Sequence, residues 1–319
     1  MKRLLLSRVT LLIVALAGGV GAARFLQGLV QVVPQSRVTI IGNVGDDTKF
    51  YGLHISPDLD IVAYTLAGLV DPLKGWGFKG DTFHSLKALQ RYGCHTWFNL
   101  GDRDLATHLY RTEQLLQGKK LSAVTADIVS SLGLVVRLLP STDGMLQTYV
   151  SSGNRRMHFQ EYMVRFQTKP RVSGVFFKGA GSARPAPKVI QSIIEADGII
   201  VCPSNPIVSI GAILAVRGIR SALRRTRALV VGISPIVGGK TVKGPADKLM
   251  KALSIECSAV GVAALYRDFL DTLIIDRVDR KLAPRIRSLG IKSVVTQTLM
   301  KTMSAKVRLA RTAVSEVEN

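Results

Sequence analysis

The chain has 319 residues and carries 43 Lys and Arg against 22 Asp and Glu, a formal net charge of +21. Apolar residues make up 47% and charged residues 20%, which excludes an extensively disordered chain and allows a large core. So basic a balance admits nucleic acid, an anionic membrane or phosphorylated small molecules as partners. Aromatic residues at 6% and cations dispersed along the chain disfavour nucleic acid. Beyond the amino terminus no apolar run has the length needed to span a bilayer. Cys94, Cys202 and Cys257 show no CxxC spacing, which argues against a disulfide framework or a zinc site and suits a cytoplasmic location.

Met1-Lys2-Arg3 and the Leu-rich stretch after it have the outline of a secretory signal. A basic extension leading into a buried strand over about 10–16 fits better, because Gly18-Gly19-Val20-Gly21 follows at once and helical spacing continues over 22–33. The β-branched run over 37–41 completes a βαβ opening, which predicts a parallel sheet. Helices are expected over 60–70, 82–92, 104–117 and 125–132. Strands follow over 135–139, 145–150 and 157–164. Alternation then resumes, with helices at 188–196, 210–216, 246–252, 260–269 and 286–289, strands at 198–202, 228–233, 272–275 and 293–296, and a basic helix to close. The expected fold is α/β: a single domain over 1–319 with a doubly wound, mostly parallel Rossmann-like sheet from 10–60 and 133–300 and an inserted helical subdomain over 61–132.

Gly42-Asn43-Val44-Gly45-Asp46-Asp47 and Ser56-Pro57-Asp58-Leu59-Asp60 gather four carboxylates just after a predicted strand. Acidic residues are scarce here, so such a cluster points to a divalent cation or to activation of a hydroxyl. The bland alternative is that Asp46, Asp47 and Asp58 cap turns and helix starts. Gly18, Gly19 and Gly21 lie at a strand-to-helix turn whose amides suit a phosphate, although neither GxGxxG nor a Walker loop is present and a tight packing turn would look the same. Pro203-Ser204-Asn205-Pro206 and Ser234-Pro235-Ile236-Val237-Gly238-Gly239-Lys240 end two successive strands, where doubly wound sheets bind ligands. Ser204, Asn205, Ser234, Gly238, Gly239 and Lys243 are the nucleotide candidates there, with Lys240 and Lys248 beside them. Asp104 is read as a helix cap and His108, one turn on, as its structural partner; Arg103 is read as a phosphate clamp or as the partner of Asp102. The Arg217–Arg227 cluster reads as a solvated helix face.

Taken in order, these motifs resemble the 2-phospho-L-lactate transferases of deazaflavin coenzyme F420 biosynthesis. Gly75-Trp76-Gly77, Asp81-Thr82-Phe83, Leu100-Gly101-Asp102-Arg103-Asp104-Leu105-Ala106-Thr107-His108, Met157-His158-Phe159-Gln160-Glu161-Tyr162 and Lys243-Gly244-Pro245-Ala246-Asp247-Lys248 extend the match to nearly the whole chain. Ala22 departs from it, standing where that family commonly has glycine. The resemblance implies Mg²⁺, a GDP-linked donor of phospholactate, phosphoenolpyruvate or phosphoglycerate, and the deazaflavin Fo as acceptor, with GMP released. It also suggests a homodimer; with the composition and run lengths above, no nucleic-acid or membrane partner is expected. The resemblance places Asp60 and Asn99 on the deazaflavin; Asp47 and Asp60 are the catalytic and metal-ligand candidates, with Asp46 behind them. The competing reading is a non-catalytic nucleotide-sugar-binding regulator of the same superfamily, which would have no use for the two acceptor-side motifs. A nicotinamide dehydrogenase fails on glycine spacing.

Overall fold

The computed structural model describes residues 11–72 and 74–318. The basic extension and the signal-like start lie outside the described residues. β1 (Ile13–Ala17) is apolar and buried at every position, as expected of a central strand covered on both faces. It runs parallel between β2 (Val38–Gly42) and β9 (Gly198–Val201), with Ala15 opposite Ile40 on one side and Ile200 on the other. Between β1 and β2 lies α1 (Gly19–Leu29), which starts earlier and ends earlier than the spacing suggested. Its start is set by packing. A Cβ on Gly21 would fall 2.3 Å from the Pro203 carbonyl oxygen, so only glycine lets the first turn close onto the end of β9.

The connection from β2 to the next sheet strand is long. It holds a hairpin, β3 (Thr48–Phe50) and β4 (Leu53–Ile55), then α2 (Pro57–Leu66), α3 (His84–Arg91), α4 (Asp102–Leu116) and α5 (Leu121–Ser131). The hairpin is absent from the sequence expectation, and it opens the acidic segment into two arms. Helices α3 and α4 cap one another: Asp81 accepts from the Arg103 and Asp104 amides, while Asp102 accepts from those of His84 and Ser85. Asp104 is therefore not the cap that its position suggested.

After β5 (Arg137–Pro140) comes a small antiparallel sheet of β6 (Gln147–Ser152), β7 (Arg155–His158) and β8 (Gly174–Lys178), in the order β7-β6-β8. The strand expected over 157–164 stops at His158, and Glu161–Arg165 forms a π-helical turn instead. The main chain then alternates through α6 (Val189–Glu195), β9, α7 (Ile210–Ala215), α8 (Ile219–Leu223) and β10 (Leu229–Ile233). A short ladder of β11 (Ile236–Val237) and β12 (Lys240–Thr241) precedes α9 (Ala246–Ala252), α10 (Ala259–Tyr266), β13 (Thr272–Asp276), α11 (Ala283–Arg287), β14 (Lys292–Thr296) and α12 (Met303–Val317).

The seven-stranded sheet has the order β14-β13-β10-β9-β1-β2-β5, parallel throughout. The chain moves outward from β1 to β2 and β5, then reverses from β9 to β14. The reversal lies between β1 and β9, and ligands of doubly wound sheets bind outside the carboxyl ends of the strands at such a point.

Candidate functional site

Everything singled out in the acidic segment converges on that switch point. The Gly18 amide donates to Ser204 Oγ across the gap between β1 and β9, 3.2 Å away. A Cβ on Gly18 would meet Asp58 Oδ2 and Ser209 Cβ, each at 2.7 Å. The mouth of the glycine turn is thus filled by Asp58, whose carboxylate accepts from Asn43 Nδ2 at 2.9 Å. Asn43, fully buried after β2, also accepts from the Gly45 amide at 2.7 Å and so shapes the turn that presents Asp46 and Asp47.

Asp47 faces the β3–β4 hairpin. Its Oδ2 accepts from Ser56 Oγ at 2.8 Å and lies 3.0 Å from His54 Nε2. The His54 amide donates to Thr112 Oγ1, which ties the hairpin to α4. From the other side, the Thr148 amide donates to the Gly45 carbonyl and brings the small antiparallel sheet against the same turn. Asp60, one turn into α2, is held by Arg111 of α4, whose Nη1 and Nη2 donate to its two oxygens in the fork-on-carboxylate geometry. His108 lies beside them, its Nε2 3.3 Å from Asp104 Oδ1, and Tyr64 Oη donates to the same Asp104 oxygen.

Burial sets the electrostatics. It raises the Asp46 carboxyl well above its ordinary range, and the Asp58 and Asp47 charges add to the effect. Burial also pushes Asp58 up to about 6, against the hydrogen bonds from Asn43 and Gly19. Asp47 is raised by burial too, with His54, Ser56 and Arg111 pulling the other way. In the folded state Asp58 holds its proton more tightly than in the unfolded chain, whose value is near 3.8. The stability this confers is complete below the unfolded value and is lost as pH rises through the folded one. In metal-free protein, the stability of wild type relative to Asp58→Asn is expected to fall by on the order of 1 kcal/mol from about pH 5 to about pH 7.5. Urea midpoints read this difference, and parallel pH profiles for the two proteins would refute it.

Do these residues fit Mg²⁺? Among the described residues, no three His, Cys, Asp or Glu side chains stand at metal-coordinating spacing. Mg²⁺ commonly takes one or two protein carboxylates and fills its octahedron with water and substrate phosphates. Asp46 Oδ1 and Asp47 Oδ1 are buried with no hydrogen-bond partner among the described residues, which suits that arrangement. Asp60 fits in part, since Arg111 uses one lone pair on each oxygen and leaves another.

The remaining candidates separate into two groups. Asn205 Oδ1 accepts from the Ile207 and Val208 amides, and Ser234 Oγ both donates to and accepts from the Ile236 backbone, so each of these side chains shapes its own loop. Gly238 and Gly239 both have positive φ, and the Gly238 amide donates to Asp279. Lys248 turns away to Thr168. Arg103 donates to the Lys79 carbonyl and does not pair with Asp102. Lys243 reaches the Gly75 turn, where Nζ would lie 3.6 Å from an added Cβ. Asn99 lines a cavity of about 370 Å³ with Phe83, Leu86 and the two residues flanking Gly75, Lys74 and Trp76. Lys74 sits over the rings of Trp76 and Phe83. Sequence reasoning missed His54, Ser56 and Arg111. An arginine one turn beyond His108 on an otherwise amphipathic helix was the available signal.

The family model described as 2-phospho-L-lactate transferase CofD matches residues 13–313. A Streptomyces coelicolor protein named phosphoenolpyruvate transferase is 45% identical over 312 residues, covering 96% of this chain and 98% of the relative. A Mycobacterium tuberculosis protein of the same name is 41% identical over 83% of this chain and 86% of its own length. Among solved structures, the Bacillus halodurans protein BH3568, a member of the UPF0052 family, aligns with a TM-score of 0.64 over 95% of this chain and 98% of its own. At 17% identity that likeness speaks for the fold alone.

Proposed function

The chain belongs to the 2-phospho-L-lactate transferase family, and on that premise we propose that it transfers phosphoenolpyruvate from a GDP-linked donor to the ribityl hydroxyl of the deazaflavin Fo, releasing GMP. The choice of acid follows the names of the relatives with 41–45% identity. The observation that carries the reading is the buried group Asp46, Asp47, Asp58 and Asp60 at the switch point, with unsatisfied oxygens on the first two.

In the transfer, the acceptor hydroxyl oxygen forms a bond to the phosphorus bearing the acid. The P–O bond to GMP breaks, and GMP departs with that electron pair. The hydroxyl proton passes to a carboxylate, for which Asp60 is placed: buried, oriented by Arg111 and adjoining the acceptor-side helices. Mg²⁺, held by Asp46 and Asp47, would neutralise charge on the diphosphate. The cavity lined by Trp76, Phe83 and Asn99 is broad and aromatic enough for a flat tricyclic ring. No helix among the described residues is long and apolar enough to cross a membrane. The proposal includes a cytoplasmic homodimer acting on small molecules, with dimerisation read by light scattering.

Incubation with Fo, Mg²⁺ and each guanylylated acid, read by mass, tests the proposal. The phosphoenolpyruvyl donor is expected to give product and GMP. Firm GDP binding without turnover of any guanylylated acid would favour the regulator reading instead. GDP is also expected to raise the melting temperature, since ligand at a hundredfold excess over Kd adds about 2.7 kcal/mol. No shift at millimolar GDP would remove the nucleotide site.

A further inference from the structure

The Gly75 turn collects positive charge from distant parts of the chain. An added Cβ at Gly75 would lie 3.3 Å from Arg24 Nη2, 3.6 Å from Lys243 Nζ and 3.9 Å from Val20 Cγ1. The turn therefore lies against the first two turns of α1, with two cations converging over its backbone. A third stands close by. Lys306 on α12 donates its ammonium to Gln27 Oε1, one turn beyond Arg24, and feels the Arg24 charge. Lys243 as a whole is exposed, yet its ammonium end is drawn against the turn, and its pKa is pulled down by partial burial and then by Arg24.

Neither Arg24 nor Lys243 has an ion-pair partner among the described residues, and the Lys306 ammonium has a neutral amide oxygen. Elsewhere several cations find carboxylates: buried Arg111 takes Asp60, and the more exposed Arg220 and Arg285 take Asp268 and Glu256. Converging like charges repel unless an anion joins them. A guanidinium beside an ammonium offers a planar fork and a point charge, which together match two linked phosphates.

Resting on the transfer reading above, we propose that Arg24 and Lys243, backed by Lys306, clamp the diphosphate of the guanosine-linked donor against the Gly75 turn. Lys74 and Trp76, which flank Gly75 in that turn, line the cavity proposed for the acceptor, and neither Arg24 nor Lys243 does. One turn thus separates the donor's diphosphate from the acceptor ring. As the bond to GMP breaks, the clamp takes up the charge that appears on the leaving phosphate.

The test uses the full chain with Mg²⁺ and the variants Arg24→Gln, Lys243→Gln and Lys306→Gln. Calorimetry with GDP, inorganic pyrophosphate and guanosine gives affinities, and steady-state kinetics gives KM for donor and for Fo separately. Arg24→Gln and Lys243→Gln are each expected to weaken GDP and pyrophosphate by about tenfold or more and to raise donor KM alike. Lys306→Gln is expected to weaken them by about threefold, with Fo KM and guanosine affinity unchanged in all three. Arg217→Glu, at an exposed position on the loop between α7 and α8, should leave every value as in wild type. Unchanged GDP affinity in both main variants, or equal weakening of guanosine, overturns the clamp even if wild type turns over normally. Wild type that binds GDP through Arg24 and Lys243 but transfers nothing keeps the clamp and sinks the transfer reading.

Discussion

Replacing Asp60 by asparagine is expected to lower kcat by about two to four orders of magnitude, roughly 3–5 kcal/mol of barrier, while GDP affinity stays within about threefold of wild type. The swap keeps the shape of a side chain that is 5% exposed and removes its charge. An amide cannot accept the acceptor's proton, and it offers Arg111 one oxygen where the carboxylate offered two. The loops at the ends of β9 and β10, where the proposal puts the nucleotide, make no hydrogen bond to Asp60 among the described residues, so GDP binding should not follow kcat. Circular dichroism at the assay temperature establishes that the variant is folded. A folded variant with more than about a tenth of wild-type kcat would take Asp60 out of the chemistry.

Why the sequence revealed the sheet but not the whole site follows from the range over which each signal acts. The apolar run of β1, the glycine turn and the β-branched run of β2 are contiguous, and local periodicity finds them. The carboxylates were legible because they are rare in this chain. The partners that tune them were not. Arg111 meets Asp60 across 51 residues, and on α4 it follows the spacing of an ordinary solvated face. The β3–β4 hairpin has three-residue arms, too short for alternation to register, yet it is what brings His54 and Ser56 onto Asp47. The glycine turn was read as a phosphate cradle on the strength of its amides, and the structure fills its mouth with Asp58 and Ser209. Nothing local in Gly18-Gly19-Val20-Gly21 announces a carboxylate forty residues on.

Removing Arg111 should cost the fold more than removing any other single charge in the chain. Its side chain is 1% exposed and pairs with Asp60, itself buried on α2. Burial opposes the Arg111 charge, and the Asp60 carboxylate outweighs that, so its pKa stands above the ordinary value. Arg111→Gln leaves a carboxylate in a dry site close to the Asp47 and Asp104 charges. Breaking one side of a buried pair typically costs about 3–5 kcal/mol, because the abandoned charge must stay desolvated or take up a proton. Arg111→Gln is therefore expected to lose about that much in urea denaturation. The double variant Asp60→Asn with Arg111→Gln has no stranded charge, and it should be more stable than Arg111→Gln alone by about 1–3 kcal/mol. Additive losses in that cycle would mean that the two side chains stabilise their helices independently. A large coupling would instead show that α2 and α4 are locked through this pair, and that the carboxylate proposed as the base is held in place by an arginine whose only evident role is to hold it.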